Sequence, residues 1–481
     1  MKSEKTYRPL FYESYRNLPT VAGICSLQDG ANPGIGVQDC VDRLKRYHYT
    51  LQRLWNLFNA RIPSEPIYEL KMGFSLHTHL CAEHVTTIEE RVGEMRHPPL
   101  GLDKVPHKKL ELFFDEVQAA PTLALLHSVY AVALPALKVS MERHIRETNH
   151  LADHPTVRIL RFALLEIDQM IDYGQRAIGC LRNEKKVEGL EDWLALLENC
   201  LLGCGGLDGT EPEQSPDCSA VYSIEPFEFD GLPQRDERFE DPYNMGVHAE
   251  EFLHDERYPA DIKTMMMYYR RLREIDVPEM MAGVLYQTKN KSWKFYRDMT
   301  RQLWDEARHA LMGEVGFVHH GIDWPKYVMI NFTWSKELFE QLEPKQRHAV
   351  LWYIEQGQMG KEGKRYEWEV GKDAEDPLAM LFQDYDWADE VLHARIGRDW
   401  YVRGFKDSRK AAEYGNECWN TVTSGWQNWK DQGLTEHRNW WPELYKEVCR
   451  LRGIEPNPEV LAYKTNYAKT RADLKQHSFS G

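Results

Sequence analysis

Apolar residues along this chain recur at intervals of three and four, the spacing that lines one face of an α-helix. The strict alternation of a half-buried strand is missing. The pattern predicts helices over roughly 37–61, 66–95, 114–149 and 156–183, followed by a shorter one over 187–202. Pro63, Pro66, Pro98, Pro99, Pro106 and Pro155 punctuate them, since proline lacks the N–H that would continue a helix. From Gly205 to about Tyr258 the composition shifts to Gly, Pro, Asp and Glu, which reads as a long acidic linker draped over a surface. A second set is predicted over roughly 260–287, 291–318, 336–371 and 377–404. The rest, to Gly481, reads as one or two aromatic-rich helices (WNTVTSGWQNWKD, WWPELYKEVCRLRG) and an extended tail, serving as a dimer contact or a lid.

The two helical sets read as diverged copies. A shift of 223 residues carries Leu80 onto Leu303, Glu83 onto Glu306, Val92 onto Val315 and Gly93 onto Gly316. A shift of 222 carries Pro155 onto Pro377, Asp168 onto Glu390 and Arg176 onto Arg398. Each identity alone is weak; the nearly constant offset through two separated helices carries the argument. The expected architecture is all-α, two fused four-helix bundles. The boundaries are 1–204 for the first bundle, 205–258 for the linker, 259–408 for the second bundle and 409–481 for a C-terminal helical extension and tail.

Two segments of the second set share one pattern, Asp305-Glu306-Ala307-Arg308-His309 and Asp389-Glu390-Val391-Leu392-His393. Each sets a Glu and a His three residues apart on one helix face. A carboxylate oxygen and an imidazole nitrogen pointing the same way make half of a dimetal site, and two further helices each add a Glu. A single E-x-x-H arises easily by chance; two, 84 residues apart on consecutive hairpins, do not. The Asp before each Glu is placed to accept the free ring N–H of a ligand histidine, fixing its tautomer. The competing reading, a solvated charged face, fits poorly with Leu303, Trp304, Ala307 and Leu311 around the first motif and Trp387, Ala388 and Leu392 around the second.

For the remaining carboxylates the candidates are Glu279 or Glu274 on the first helix, and Glu355 or Glu362 on the third. Antiparallel helices bring residues equidistant from their loop to one level. A loop near Lys289–Lys291 then favours Glu279 opposite Glu306. Glu355 and Glu362 bracket the level of Glu390, so loop geometry leaves that choice open.

Charge narrows the partners. With 60 Lys and Arg against 75 Asp and Glu, the net charge is -15, which disfavours nucleic acid and anionic membranes. The most apolar run, Thr122 to Val139, is interrupted by His127 and Pro135 and reads as too short for a membrane span. The N-terminus lacks an apolar leader, so a cytoplasmic location is expected. Nine cysteines, an odd number spread along a large chain, suit reduced thiols; Cys200, Cys204 and Cys218 read as linker thiols. His77, His79 and His84 near Glu83 read as surface or hydrogen-bonded histidines, and His319 and His320 as partners of helix-terminal carbonyls.

This arrangement resembles the ferritin-like di-iron carboxylate superfamily, with its motifs over roughly residues 260–404 and in outline over 37–183. The string FYRDMTRQLWDEARHAL looks like the second helix of an uncharacterised ferritin-like family related to tRNA-hydroxylating monooxygenases. REIDVPEMMAGVLY resembles its first helix, with Glu279 on the ligand position; YIEQGQ resembles the third, which selects Glu355; DPLAMLFQDYDWADEVLHARIGRDWY resembles the fourth. The resemblance implies two Fe ions, with Mn or mixed Mn/Fe as the alternative, held by Glu279, Glu306, His309, Glu355, Glu390 and His393. Mixed carboxylate and imidazole ligation suits iron or manganese better than zinc. The first half departs from the pattern, with Thr86 and Ile171 at the histidine positions, Ala82 and Ile167 at the Asp positions, and Asn56 and Ala133 in place of Glu279 and Glu355. Only Glu83 and Asp168 survive there, so the first bundle is expected to be degenerate.

The function expected is an O2-using di-iron oxidoreductase, oxygenase or oxidase, acting on a small organic substrate with an electron donor the sequence does not name. Trp304 and Trp387 beside the ligands are expected to pack or to relay electrons. Iron handling, tRNA modification and a metal-free scaffold are the competing classes. A fused 481-residue chain suits a storage cage poorly, and the net charge disfavours tRNA. A homodimer is left open.

Overall fold

The computed structural model describes residues 12–181, 188–332, 334–358, 361–423 and 428–464. The protein is all-helical, and no strand occurs among the described residues. The chain divides into two compact units, one of residues 1–55 and 80–228, the other of residues 56–79 and 229–481. Helices of six residues or more are numbered in chain order.

In the first unit lie α3 (Lys108–Ala119), α4 (Thr122–Glu147), α5 (His154–Leu181) and α6 (Leu190–Gly203). The division into units falls inside α1 (Val37–Ser64) and α2 (Tyr68–Met95). Helix α4 packs on α5, and α3 on α6. The single helix expected over 114–149 is two, because Pro121 ends α3 and starts α4. Helix α4 contains a π-helical stretch, Ser128–Ala133, at the centre of its most apolar run. That run was read from the sequence as too short for a span. It lies in one 26-residue helical run, Thr122–Glu147, with an 18-residue window of mean hydropathy 1.5, long and apolar enough to cross a membrane by length and composition. Half of the apolar window is buried within the protein, as a core helix would be.

The first unit also fixes part of the acidic linker. Buried Glu116 accepts hydrogen bonds from Trp193 Nε1 (2.8 Å), the N–H groups of Val221, Tyr222 and Ser223 (2.8–3.0 Å) and Ser223 Oγ (2.6 Å). A carboxylate with five donors holds 221–223 in place.

In the second unit the helices are α7 (Ala249–His254), α8 (Ala260–Arg273), α9 (Asp276–Gln287), α10 (Trp293–His319), α11 (Ser335–Gln341), α12 (Pro344–Gln358), α13 (Lys361–Asp373), α14 (Pro377–Trp400), α15 (Ser408–Thr423) and α16 (Trp441–Arg452). Four helical runs pack on one another: α8–α9 and α14 each lie on α10, and α12–α13 lies on both α14 and α8–α9. Asp376 caps α14 by accepting from the N–H groups of Leu378 and Ala379, with Pro377 at the first helical position. The helix expected over 336–371 is broken at Leu342–Glu343, before Pro344; beyond it the described residues are helical over Pro344–Gln358 and Lys361–Asp373.

The first helix of this set is also broken, between Arg273 and Asp276. Pro278 has no N–H to give the carbonyl of Glu274, and its ring crowds that carbonyl. The chain crosses the break with tighter i→i+3 bonds, Glu274 N–H to Arg271 O and Val277 N–H to Glu274 O. Opposite the end of α8, Gly313 lets α10 approach closely: a methyl group there would overlap the backbone of Tyr268 and Leu272. Trp440 and Trp441 at the start of α16 are fully buried against Tyr269 and Phe252, so that stretch of the C-terminal extension belongs to the core of the unit.

Candidate metal centre

Helices α10 and α14 bring the two E-x-x-H motifs face to face. Glu306, His309, Glu390 and His393 are all buried, and the two imidazole centroids are 6.1 Å apart. Two groups of donor atoms result. Glu306, Glu355, Glu390 and His393 form the first; Glu274, His309 and Asp386 form the second. Glu306 touches both, with Oε1 at 3.1 Å from His393 Nδ1 and Oε2 at 3.8 Å from His309 Nδ1. That is the position of a bridging carboxylate. His309 Nδ1 further faces Glu274 Oε2 at 3.2 Å and Asp386 Oδ1 at 3.5 Å, and His393 Nδ1 faces Glu390 Oε2 at 3.6 Å.

The outward ring nitrogens are cross-braced. His309 Nε2 lies 3.1 Å from Asp389 Oδ2, and His393 Nε2 lies 3.4 Å from Asp305 Oδ2. Each Asp therefore serves the histidine of the other helix and leaves Nδ1 aimed inward. Arg308 Nη2 donates to both aspartates, at 2.5 Å to Asp305 and 2.6 Å to Asp389, and ties the brace together.

Glu279 lies elsewhere. It is buried in an ion pair with Lys71 and Arg235, whose Nη2 is 2.9 Å from Oε2. Glu274 takes the place beside His309. The antiparallel level argument assumed an unbroken helix, and the break at Glu274–Ile275 turns Glu279 away. Glu355 stands in the first group, with Gln302 Nε2 donating to it at 3.3 Å. The Glu362 side chain lies outside the described residues.

Three participants were not singled out from sequence. Asp386 had a readable signal: it precedes Glu390 by four and His393 by seven, one helix face. Lys364 and Arg271 did not. Lys364 Nζ, itself buried, is 2.5 Å from Asp386 Oδ2 and 3.3 Å from Glu390 Oε1. Arg271 contacts Asp386 and lies 3.0 Å from Glu274.

Burial disfavours charge throughout this cluster, and at His309, His393 and Glu306 the neighbours overrule it. Against burial, Asp389, Glu274 and Glu306 push His309 up to about 10. Asp305, Glu306 and Glu390 raise His393 in the same way. Glu306, also against burial, is drawn down to about 2 by the two histidines. Burial and the adjacent Glu390 and Glu306 hold Glu355 far above the ordinary carboxylate range.

A metal fits this donor set on one observation. Glu274 Oε2, Glu306 Oε1, His309 Nδ1, Glu390 Oε2 and His393 Nδ1 are buried and make no hydrogen bond, although each lies 3.1–3.6 Å from an opposite partner; Asp386 Oδ1, beside them, contacts Arg271. Buried polar atoms ordinarily find hydrogen bonds; these converge on one another instead.

Elsewhere the residues weighed from sequence find other partners. Asp168 is exposed and pairs with Lys138, and His84 pairs with Glu166 at 2.8 Å. His77 packs edge-on against Phe58. His320 Nε2 reaches Asp376 at 3.0 Å, while its own N–H serves the end of α10. All nine cysteines are free.

Fold and site together define an all-helical protein with a buried carboxylate and histidine centre able to hold metal. No protein-family model, no curated protein and no solved structure matches the chain.

Proposed function

We propose that the second unit is a ferritin-like di-iron bundle and that the protein is an O2-using oxidoreductase acting on a small organic substrate. The observation that carries this reading is the pair of adjacent donor groups joined by Glu306, with five inward atoms lacking hydrogen bonds. His393, Glu390, Glu355 and Glu306 would hold one ion; His309, Glu274, Asp386 and Glu306 would hold the other. Two ferrous ions bound there supply electrons to O2. Asp305 and Asp389 keep the ring protons on Nε2 and hold Nδ1 for ligation. Glu355, held protonated by burial and by the adjacent Glu390 in the metal-free protein, would give up that proton on ligating an ion. Metal binding displaces the protons from both imidazoles.

Internal duplication is part of the proposal, and the helix ends support it. A shift of 223 carries Val37–Ser64 onto 260–287, the combined span of α8 and α9. A shift of 222 carries the start of α4, Thr122, onto Pro344, the start of α12. The first unit would then be a copy that has lost its ligands.

A second reading has its own observation. Lys364 and Arg271 already place two cations on Asp386, Glu390 and Glu274, so the network is partly neutralised without metal. The protein would then be a scaffold. Metal content decides: protein purified with added iron is assayed by mass spectrometry beside a His309→Ala, His393→Ala variant. About two irons per chain, lost in the variant, followed by substrate-linked O2 uptake, supports the oxidoreductase. A parent without bound metal refutes it in favour of the scaffold.

A further inference from the structure

We propose that Cys40, His144 and Asp153 form a separate mononuclear site in the first unit for a borderline-soft divalent cation of the zinc class. Cys40 sits in the first turns of α1, His144 in the last turn of α4, and Asp153 just before α5. One donor atom from each, the thiol sulfur, a ring nitrogen and a carboxylate oxygen, lies within 4.8 Å of the other two.

His144 is the observation that points to a ligand. It is fully buried, and neither ring nitrogen has a hydrogen-bond partner. A buried imidazole normally satisfies at least one nitrogen, because an unmet polar atom costs about 1–3 kcal/mol. Here one nitrogen lies within 4.8 Å of a thiol and a carboxylate, both ligand types, the ring packs against Tyr47 at 5.8 Å, and the nearby Arg43 is paired with Glu147.

The charges close. Cys40 Sγ now donates toward Asp153 Oδ2 at 3.4 Å. The cation takes the place of that thiol proton, which leaves to solvent. Thiolate and carboxylate balance its two charges, Arg91 beside Asp153 has Glu94 at 2.7 Å to balance its own, and neutral His144 adds the third ligand, so no uncompensated charge is buried. Asp153 is fixed from outside, by Arg91 Nη2 at 2.8 Å on Oδ1 and Thr148 Oγ1 at 2.9 Å on Oδ2. Such outer partners are what hold ligating carboxylates in place. Three protein ligands leave a fourth position to water. The thiolate selects zinc over magnesium, calcium or manganese, unlike the sulfur-free centre of the second unit.

The arrangement belongs to the first helical set alone. The shifts of 223 and 222 residues carry Cys40 and His144 onto Lys263 and Tyr366, whose side chains hydrogen bond at 2.8 Å. The same two positions meet in both sets, and only the first carries a thiol and an imidazole.

The test is a Co2+ titration of the full chain stripped of metal, read by absorbance and then competed with Zn2+. A sulfur-to-cobalt charge-transfer band that saturates, disappears on adding Zn2+ and is missing in Cys40→Ser is the expected result. His144→Gln, which keeps the thiol and much of the volume, is expected to weaken Co2+ binding at least about tenfold. No such band in the parent overturns the site, as does a band that persists in Cys40→Ser. If Cys40→Ser does not fold, unchanged Co2+ affinity in His144→Gln overturns it equally.

Discussion

Glu274 and Glu279 lie five residues apart, and their substitution is expected to separate metal binding from stability. Glu279 is fully buried between Lys71 and Arg235. Removing one partner of a buried ion pair costs about 3–5 kcal/mol, because the other charge is left unmatched. Glu279→Gln falls at the low end, about 3 kcal/mol, since Lys71 keeps the Gln234 carbonyl at 2.9 Å and Arg235 keeps those of Ile330 and Asn331 at 3.0 Å. At roughly 2–4 °C per kcal/mol for a large domain, Tm falls about 6–12 °C, with metal content unchanged. Adding Lys71→Met leaves fewer unpaired charges and should recover about 1–3 kcal/mol relative to the sum of the single changes. Against burial, Arg235 and Lys71 hold Glu279 below the ordinary carboxylate range. Its contribution is therefore present at neutral pH and lost as pH falls through that depressed value. Glu274→Gln, at a side chain 18% exposed whose partner Arg271 keeps Asp386, costs less, about 1–2 kcal/mol, but removes a ligand, so bound iron falls. Differential scanning fluorimetry and metal analysis on the same samples read both. Iron lost from Glu279→Gln at unchanged Tm, with iron retained in Glu274→Gln, would refute the assignment.

Asp305→Asn and Asp389→Asn should each weaken metal affinity about 10–100-fold in chelator competition, with helix content unchanged by circular dichroism. Unchanged affinity would mean that the aspartates do not act through the histidines. Gly313→Ala drives α10 off the backbone of Tyr268 and Leu272, costing about 1–3 kcal/mol in denaturant melts and lowering metal content by drawing Glu274 from His309. Lys364→Met removes a cation that competes for Asp386 and Glu390; calorimetry should show tighter divalent binding, whereas weaker binding would make Lys364 a support of the site. Glu116→Ala releases five donors, and limited proteolysis near 221–223 should accelerate severalfold. Glu116 is held low despite burial by Ser223, Tyr222 and Trp193, so the same segment should loosen in the parent only as pH drops below the usual carboxylate range.

The doubled D-E-x-x-H was readable because a helix repeats every 3.6 residues, so local spacing alone fixes which side chains share a face. Its two aspartates do reach across, each to the histidine of the opposite helix, as the doubled motif led one to expect. The carboxylate from the first helix was harder. Its level depends on an uninterrupted rod, and Pro278 interrupts it; a proline in the first turn of α9 was the available sign that the helix restarts near Asp276. Lys71 and Arg235 lie 208 and 44 residues from Glu279, so nothing local announces that pair. Lys364 and Arg271 read as surface cations until tertiary packing turns them inward. The same holds for Cys40, His144 and Asp153, drawn from two helices and the turn before a third with no motif among them.

The crossed aspartates also bear on how α10 and α14 find their alignment. Each helix offers a hook and an eye: Asp305 with His309 on one, Asp389 with His393 on the other. Sliding either helix by one turn, about 5.4 Å, unfastens both contacts at once. A half-fastened pairing has little to favour it, since the freed Asp and the freed His would both be left in a dry interior. The brace thus acts as a two-point gauge that admits one register, and the chain settles the pairing of these helices in a single step.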